Sequence, residues 1–217
     1  MPKWLKWVVA VALLPAAWGV SRALVRVIAA GAGADTFWVA FVAGAAIWLT
    51  VYLLLPSPTR TYVLGHELTH ALWTLAMGGR VKGFKVGRDS GHVVVDRSNF
   101  LVVLAPYFFP VYAVLVVLIY GVGDFLWHWS RGIAWFHLVL GAAYGFHLTF
   151  TVDILQTRQT DIVSQGRLFS WVIIWLGNAL VLLVGVAALT GGASVLTGLG
   201  WCLQEAGRAY VWLGRRF

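Results

Sequence analysis

The sequence predicts an α-helical integral membrane protein of about six transmembrane helices, with a short cytoplasmic β-hairpin between two of them. Three observations carry that prediction. Of 217 residues, 60% are apolar and only 11% charged, whereas a soluble domain is nearer half apolar and a quarter charged. Mean hydropathy is +0.82. Thirteen tryptophans suit a chain with membrane–water boundaries to line. These values exclude a soluble globular domain and a disordered chain. A disulfide scaffold is excluded as well, because Cys202 is the only cysteine.

The charge is uneven. Sixteen Lys and Arg stand against eight Asp and Glu, for a formal charge of +8. The basic residues lie between hydrophobic runs, as cytoplasmic loops do under the positive-inside rule, so no nucleic-acid partner is expected. The partners expected are the lipid bilayer and whatever is embedded in it.

The elements follow in order. Lys3 and Lys6 precede an apolar stretch from Trp7 to Gly19, the pattern of a signal peptide. Ser21-Arg22-Ala23 is a poor cleavage site, so residues 7–30 are read as a retained first helix. Residues 37–55 carry no charge and are long enough to span about 30 Å of hydrocarbon. Residues 62–79 are apolar apart from one dense polar cluster. Residues 100–121 form a further span, kinked by Pro106 and Pro110. Residues 133–155 contain His137, His147 and Asp153 within an apolar run, and 168–190 read as the last span. The stretch 191–217 is taken as an interfacial amphipathic tail, because Gln204, Glu205, Arg208, Arg215 and Arg216 interrupt it. The chain is therefore a single membrane-embedded domain over 1–217, with its core at 62–190.

Sidedness comes from the loops. Residues 80–99 hold Arg80, Lys82, Lys85, Arg88 and Arg97 against Asp89 and Asp96, and are placed in the cytoplasm. The 156–167 loop, with Arg158 and Arg167, falls on the same side, and 122–132 on the other. Lys3, Lys6 and the C-terminal arginines break the rule under this scheme, so both ends stay open.

The chemistry lies in His66-Glu67-Leu68-Thr69-His70. On a helix the two histidines are one turn apart on one face. Imidazoles at that spacing can share one Zn²⁺, and Glu67 is placed to take a proton from a water that the metal activates. A chain of this composition yields roughly 0.0015 such matches by chance, so the motif is specific, though every short motif carries some false-positive risk. Glu67 is one of two glutamates in the chain. In an apolar segment an ionisable side chain costs about 3 kcal/mol or more without a partner, which marks it as functional.

His-Glu-Leu-Thr-His inside a hydrophobic segment resembles the site-2 protease family of intramembrane zinc metalloproteases. The residues that follow strengthen the likeness. Lys82–Val86 and His92–Asp96 alternate like two strands around a turn-rich Gly87-Arg88-Asp89-Ser90-Gly91. In that family a cytoplasmic hairpin follows the motif helix and offers an edge strand to substrate. The resemblance thus implies a zinc endopeptidase that cuts a membrane-embedded protein near its cytoplasmic end, in regulated proteolysis of a membrane-tethered regulator. It implies catalysis by Glu67 and one zinc held by His66, His70 and a later aspartate. Gly91, His92, Val93 and Val94 would bind substrate along the hairpin edge. Asn178 is a further candidate for substrate contact, or for linking helices. The active site would face the cytoplasm.

The family's aspartate usually stands in Leu-Asp-Gly, which this sequence lacks. Asp161, in Thr160-Asp161-Ile162, resembles the form found in compact, divergent members and is preferred. Asp153 is the alternative, lying deeper in a span. His92, His128, His137 and His147 read mainly as hydrogen-bonded residues, with His147 the most notable because it precedes Asp153. Two other readings share the His/Glu cluster: a non-catalytic membrane scaffold and a metal transporter. Glu67 beside the first histidine favours the enzyme over both.

Overall fold

The computed structural model describes residues 1–88, 90–157 and 159–216, and the backbone alone of Ser130. Asp89 and Arg158, counted in the loops above, lie outside the described residues. Nine α-helices and one hairpin are described: α1 (Lys3–Ala30), α2 (Asp35–Leu54), α3 (Thr59–Ala76), β1 (Val81–Val86), β2 (Gly91–Val95), α4 (Phe100–Leu104), α5 (Val111–Trp127), α6 (Ile133–Gln156), α7 (Thr160–Gln165), α8 (Arg167–Thr190) and α9 (Val195–Gly214). Short 3₁₀ turns cover Ala105–Tyr107 and Trp129–Gly132.

Among the described residues, four helices are long and apolar enough to cross a membrane: α1, α2, α6 and α8. The pair Phe100–Tyr107 and Val111–Trp127 adds a fifth if it is one broken span. The expectation of about six therefore stands at four or five by this measure. The shortfall has a physical origin in α3, where Arg60, His66, Glu67, His70 and four threonines interrupt the apolar run. The 100–121 segment is broken rather than merely kinked, with a 79° bend. Pro110 has no N–H to give and its ring opposes the carbonyl four residues back, so the helix restarts at Val111.

The chain divides into two compact units. The first comprises residues 1–35 and 160–217. In it α9 runs antiparallel to α1. Tyr210 Oη donates to the Ala12 carbonyl (2.6 Å), Gly19 backs onto the Ala206 backbone, Val27 meets Gly198, and Gly192 closes on Ala30. Glycines at these crossings let the backbones approach. Ser21 Oγ accepts from Trp175 Nε1 of α8 (2.9 Å), and Lys6 Nζ donates to Gln165 Oε1 (2.6 Å).

The second unit, residues 36–159, holds α2 to α6 and the hairpin. Helices α2 and α6 run parallel. His137 Nδ1 faces the Thr36 carbonyl (3.3 Å), Trp48 Nε1 donates to Thr149 Oγ1 (3.0 Å), and the Tyr52 hydroxyl bonds to Asp153. Gly44 lies on the Leu138 carbonyl and Gly141 on that of Phe41, so no larger residue fits at either position. Helix α3 ends where Gly78 takes φ +73°, and the Gly79 N–H donates back to the Thr74 carbonyl (2.9 Å). That turn leads into the antiparallel hairpin, which pairs Val81 with Val95 and Val86 with Gly91. Asp96 closes its base by accepting from the Arg80 N–H (2.7 Å). Asn99 then caps α4, accepting from Leu101 and Val102 N–H at 2.9 and 3.0 Å.

Candidate metal centre

Helix α3 brings His66 and His70 to one face, as i,i+4 spacing requires. Their Nε2 atoms stand 3.2 Å apart. Two nitrogens bound to one tetrahedral zinc at 2.0–2.1 Å would stand about 3.3 Å apart, so the separation fits a shared ion.

The far nitrogen of each ring is held. His70 Nδ1 lies 2.8 Å from the Val102 carbonyl. A carbonyl only accepts, so the hydrogen sits on Nδ1 and the lone pair on Nε2 is left for a metal. His66 Nδ1 lies 3.1 Å from the Tyr62 hydroxyl, one turn earlier on the same helix. Tyr62 is itself stacked on Phe150, with ring centroids 4.8 Å apart and planes 10° off parallel. Tyr107, fully buried, sets its ring edge-on to His66 at 5.4 Å. A cavity of about 20 Å³ adjoins His66, bordered also by Thr69, Tyr112 and His147. That is room for one water.

Glu67 is 8% exposed. Strand β2 lies directly over it: a Cβ on Gly91 would come within 2.8 Å of Glu67 Cγ and of Val63 Cγ1, and within 3.0 Å of the Lys85 carbonyl. The hairpin can approach the carboxylate this closely because residue 91 has no side chain.

His66 and His70 of the second unit offer two ligand nitrogens, whereas Asp161, the preferred third ligand, belongs to the first unit. All three side chains are half-buried. Asp153 lies in the second unit with the histidines, is exposed and is bonded to Tyr52. Asp153, the alternative third ligand, lies on the stretch of α6 that packs on Tyr52. Asp161 sits in the first turn of α7.

The four hairpin residues do not form one surface. Alternation puts Gly91, Val93 and Val95 on the half-buried face and His92 and Val94 on the exposed one. Asn178 lies on α8, and its amide donates to the Ile174 carbonyl one turn back (2.9 Å). His147 borders the small cavity, His137 is buried against Thr36, and His128 takes a left-handed φ of 52° at the end of α5. Tyr62, Tyr107 and the Val102 carbonyl were not singled out from the sequence. Tyr62 was detectable, since Tyr62-x₃-His66-x₃-His70 is one helical face. Val102 and Tyr107 were not, because they reach the site only through the fold.

Comparison with known proteins finds no matching family model, no matching curated protein and no matching solved structure.

Proposed function

We propose that this chain is a zinc-dependent intramembrane endopeptidase that cuts membrane-embedded protein segments near their cytoplasmic end. The observation that carries the reading is one helix face with two imidazole nitrogens 3.2 Å apart and a buried carboxylate on the adjoining residue. His66, His70 and Asp161 would hold the ion. Bound zinc supplies Lewis acidity, which makes hydroxide accessible from water near neutral pH.

The chain's own groups do the rest. Tyr62 and the Val102 carbonyl keep the two imidazoles oriented. Glu67 takes the proton of the attacking water and passes it to the leaving amine. The two-stranded sheet leaves each strand an unpaired edge. A substrate chain drawn out beside β2 would pair by main-chain hydrogen bonds and run close to Glu67. Regulated proteolysis of a membrane-tethered protein is the process the family likeness suggests.

The cytoplasmic side is favoured by charge. The hairpin segment carries Arg80, Lys82, Lys85, Arg88 and Arg97. In the first unit, the Lys6–Gln165 bond and the antiparallel course of α9 bring Lys3, Lys6, Arg167, Arg215 and Arg216 to one end. Both termini therefore share one basic end of that unit, as the positive-inside rule favours. Asp161 is at that same end of its unit.

The test is metal content and cleavage of the purified full chain in detergent, against a panel of membrane-helix reporters. One zinc per chain is expected, lost in His66→Ala. Glu67→Gln should keep zinc and lose cleavage. A folded wild type that takes up no zinc when zinc is supplied overturns the reading, as does cleavage that survives Glu67→Gln.

A further inference from the structure

The second unit holds a larger cavity, which shares no lining residue with the small one beside His66. It is a cleft of about 500 Å³ between α5 and α6, within the size range of sites that hold small molecules. Val116, Ile119 and Tyr120 line it from one face of α5, and Trp135, Phe136 and Val139 from one face of α6. Tyr120 and Phe136 join the two walls by stacking, with ring centroids 4.1 Å apart and planes 17° off parallel.

The connection between the helices closes one end of the cleft. His128 takes its left-handed φ of 52° there, and its N–H donates to the Asp124 carbonyl (3.0 Å). The chain then turns back, and Trp129 rests on Gly123, where any Cβ would enter its ring. Trp129 can form this wall only because residue 123 has no side chain.

The polarity of the cleft is divided. His128 and Arg131 border it at the connection, while the α5 and α6 walls are apolar except for the Tyr120 hydroxyl and the Trp135 indole N–H. No acidic residue lines it; Asp124, one turn along α5 from Tyr120, is outside the lining. Helix α6 is long and apolar enough to cross a membrane. The cationic end therefore sits where that helix begins, and Val139 stands about two turns further in. Trp127, Trp129 and Trp135 gather at the same end, as aromatic side chains do at a membrane boundary. An occupant that uses the whole cleft has a long apolar part and one anionic end. A small soluble anion would leave the apolar walls unused, and a purely apolar molecule would leave Arg131 unused.

We propose that this cleft binds an anionic phospholipid, with one acyl chain between α5 and α6 and the phosphate on Arg131. The guanidinium meets phosphate oxygens with two parallel hydrogen bonds, and the His128 ring donates another. The site is independent of the metal centre, and its test needs no metal.

The purified full chain in detergent is titrated with phosphatidylglycerol or with phosphatidylcholine of the same acyl chains, and bound lipid is counted by native mass spectrometry. Basic loops elsewhere also attract anionic lipid, so the affinity of the first lipid bound is the quantity compared. Phosphatidylglycerol should bind about fivefold more tightly, the worth of one arginine beside an anionic headgroup. Arg131→Gln should bring the two lipids level, and Ile119→Trp should fill the cleft and weaken both. Both side chains are exposed, so the fold should stand in each variant. Equal affinity of the two lipids for the wild type overturns the proposal, as does a preference that survives Arg131→Gln or binding unchanged by Ile119→Trp. Glycerol phosphate that displaces the lipid at equal concentration would assign the site to a small anion and overturn it as well.

Discussion

The backbone of Gly91 rests on the side chain of Glu67. A Cβ at residue 91 would stand 2.8 Å from Glu67 Cγ, closer than such atoms come in practice. The hairpin and the candidate base are therefore in direct contact, and one methyl group would part them. Gly91→Ala should lower cleavage at least tenfold, roughly the value of a displaced general base. Zinc content should stay at the wild-type level, because His66 and His70 are not touched. Metal analysis beside a cleavage assay checks this; unchanged cleavage would show that Glu67 yields without consequence.

Tyr62→Phe removes the hydroxyl at His66 Nδ1 and keeps the ring stacked on Phe150. Loss of such an outer partner should weaken zinc binding by about 10–100-fold. Competition with a chelator of known affinity measures it, and thermal unfolding should change little. A stability loss with unaltered zinc affinity would make Tyr62 a packing residue.

Asp161→Asn and Asp153→Asn should behave differently. The first removes the proposed third ligand and should empty the site. The second loses only the bond to Tyr52, a change of about 1 kcal/mol, and should keep its zinc. Reversed metal contents would exchange the two roles.

Gly44 and Gly141 lie at the crossing of α2 and α6, each against a carbonyl of the other helix. Gly141→Leu should destabilise the unit by at least about 1–3 kcal/mol, since backbone cannot yield as a side chain can. A fall in the midpoint of thermal unfolding in detergent is the expected result, and an unchanged midpoint would deny the close packing.

Much of this molecule was legible along the chain. Apolar run length marked α1, α2, α6 and α8, because a helix that faces lipid must be apolar along its whole length. The i,i+4 rule placed His66 and His70 together, and alternation with a turn located the hairpin. Other features were misread for definite reasons. Proline spacing announced a kink at 106–110 but not a 79° break, since the angle depends on what each half packs against. Nothing along the chain announced that Arg26 of α1 answers Glu205 of α9, because the two meet only through the fold.

The sequence by itself determined the class of the protein, its hydrophobic helices, and the two imidazoles and carboxylate of a single helical turn. Those properties depend on composition and on neighbours within about four residues, where helix geometry alone sets the distance. Only the tertiary structure decided that Val102 holds His70 and that Gly91 lies on Glu67. These partners are 24 or more residues apart in the chain, and nothing local links them. Their meeting depends on where α3 ends, how the hairpin folds back over it, and which backbone surfaces are bare enough to touch.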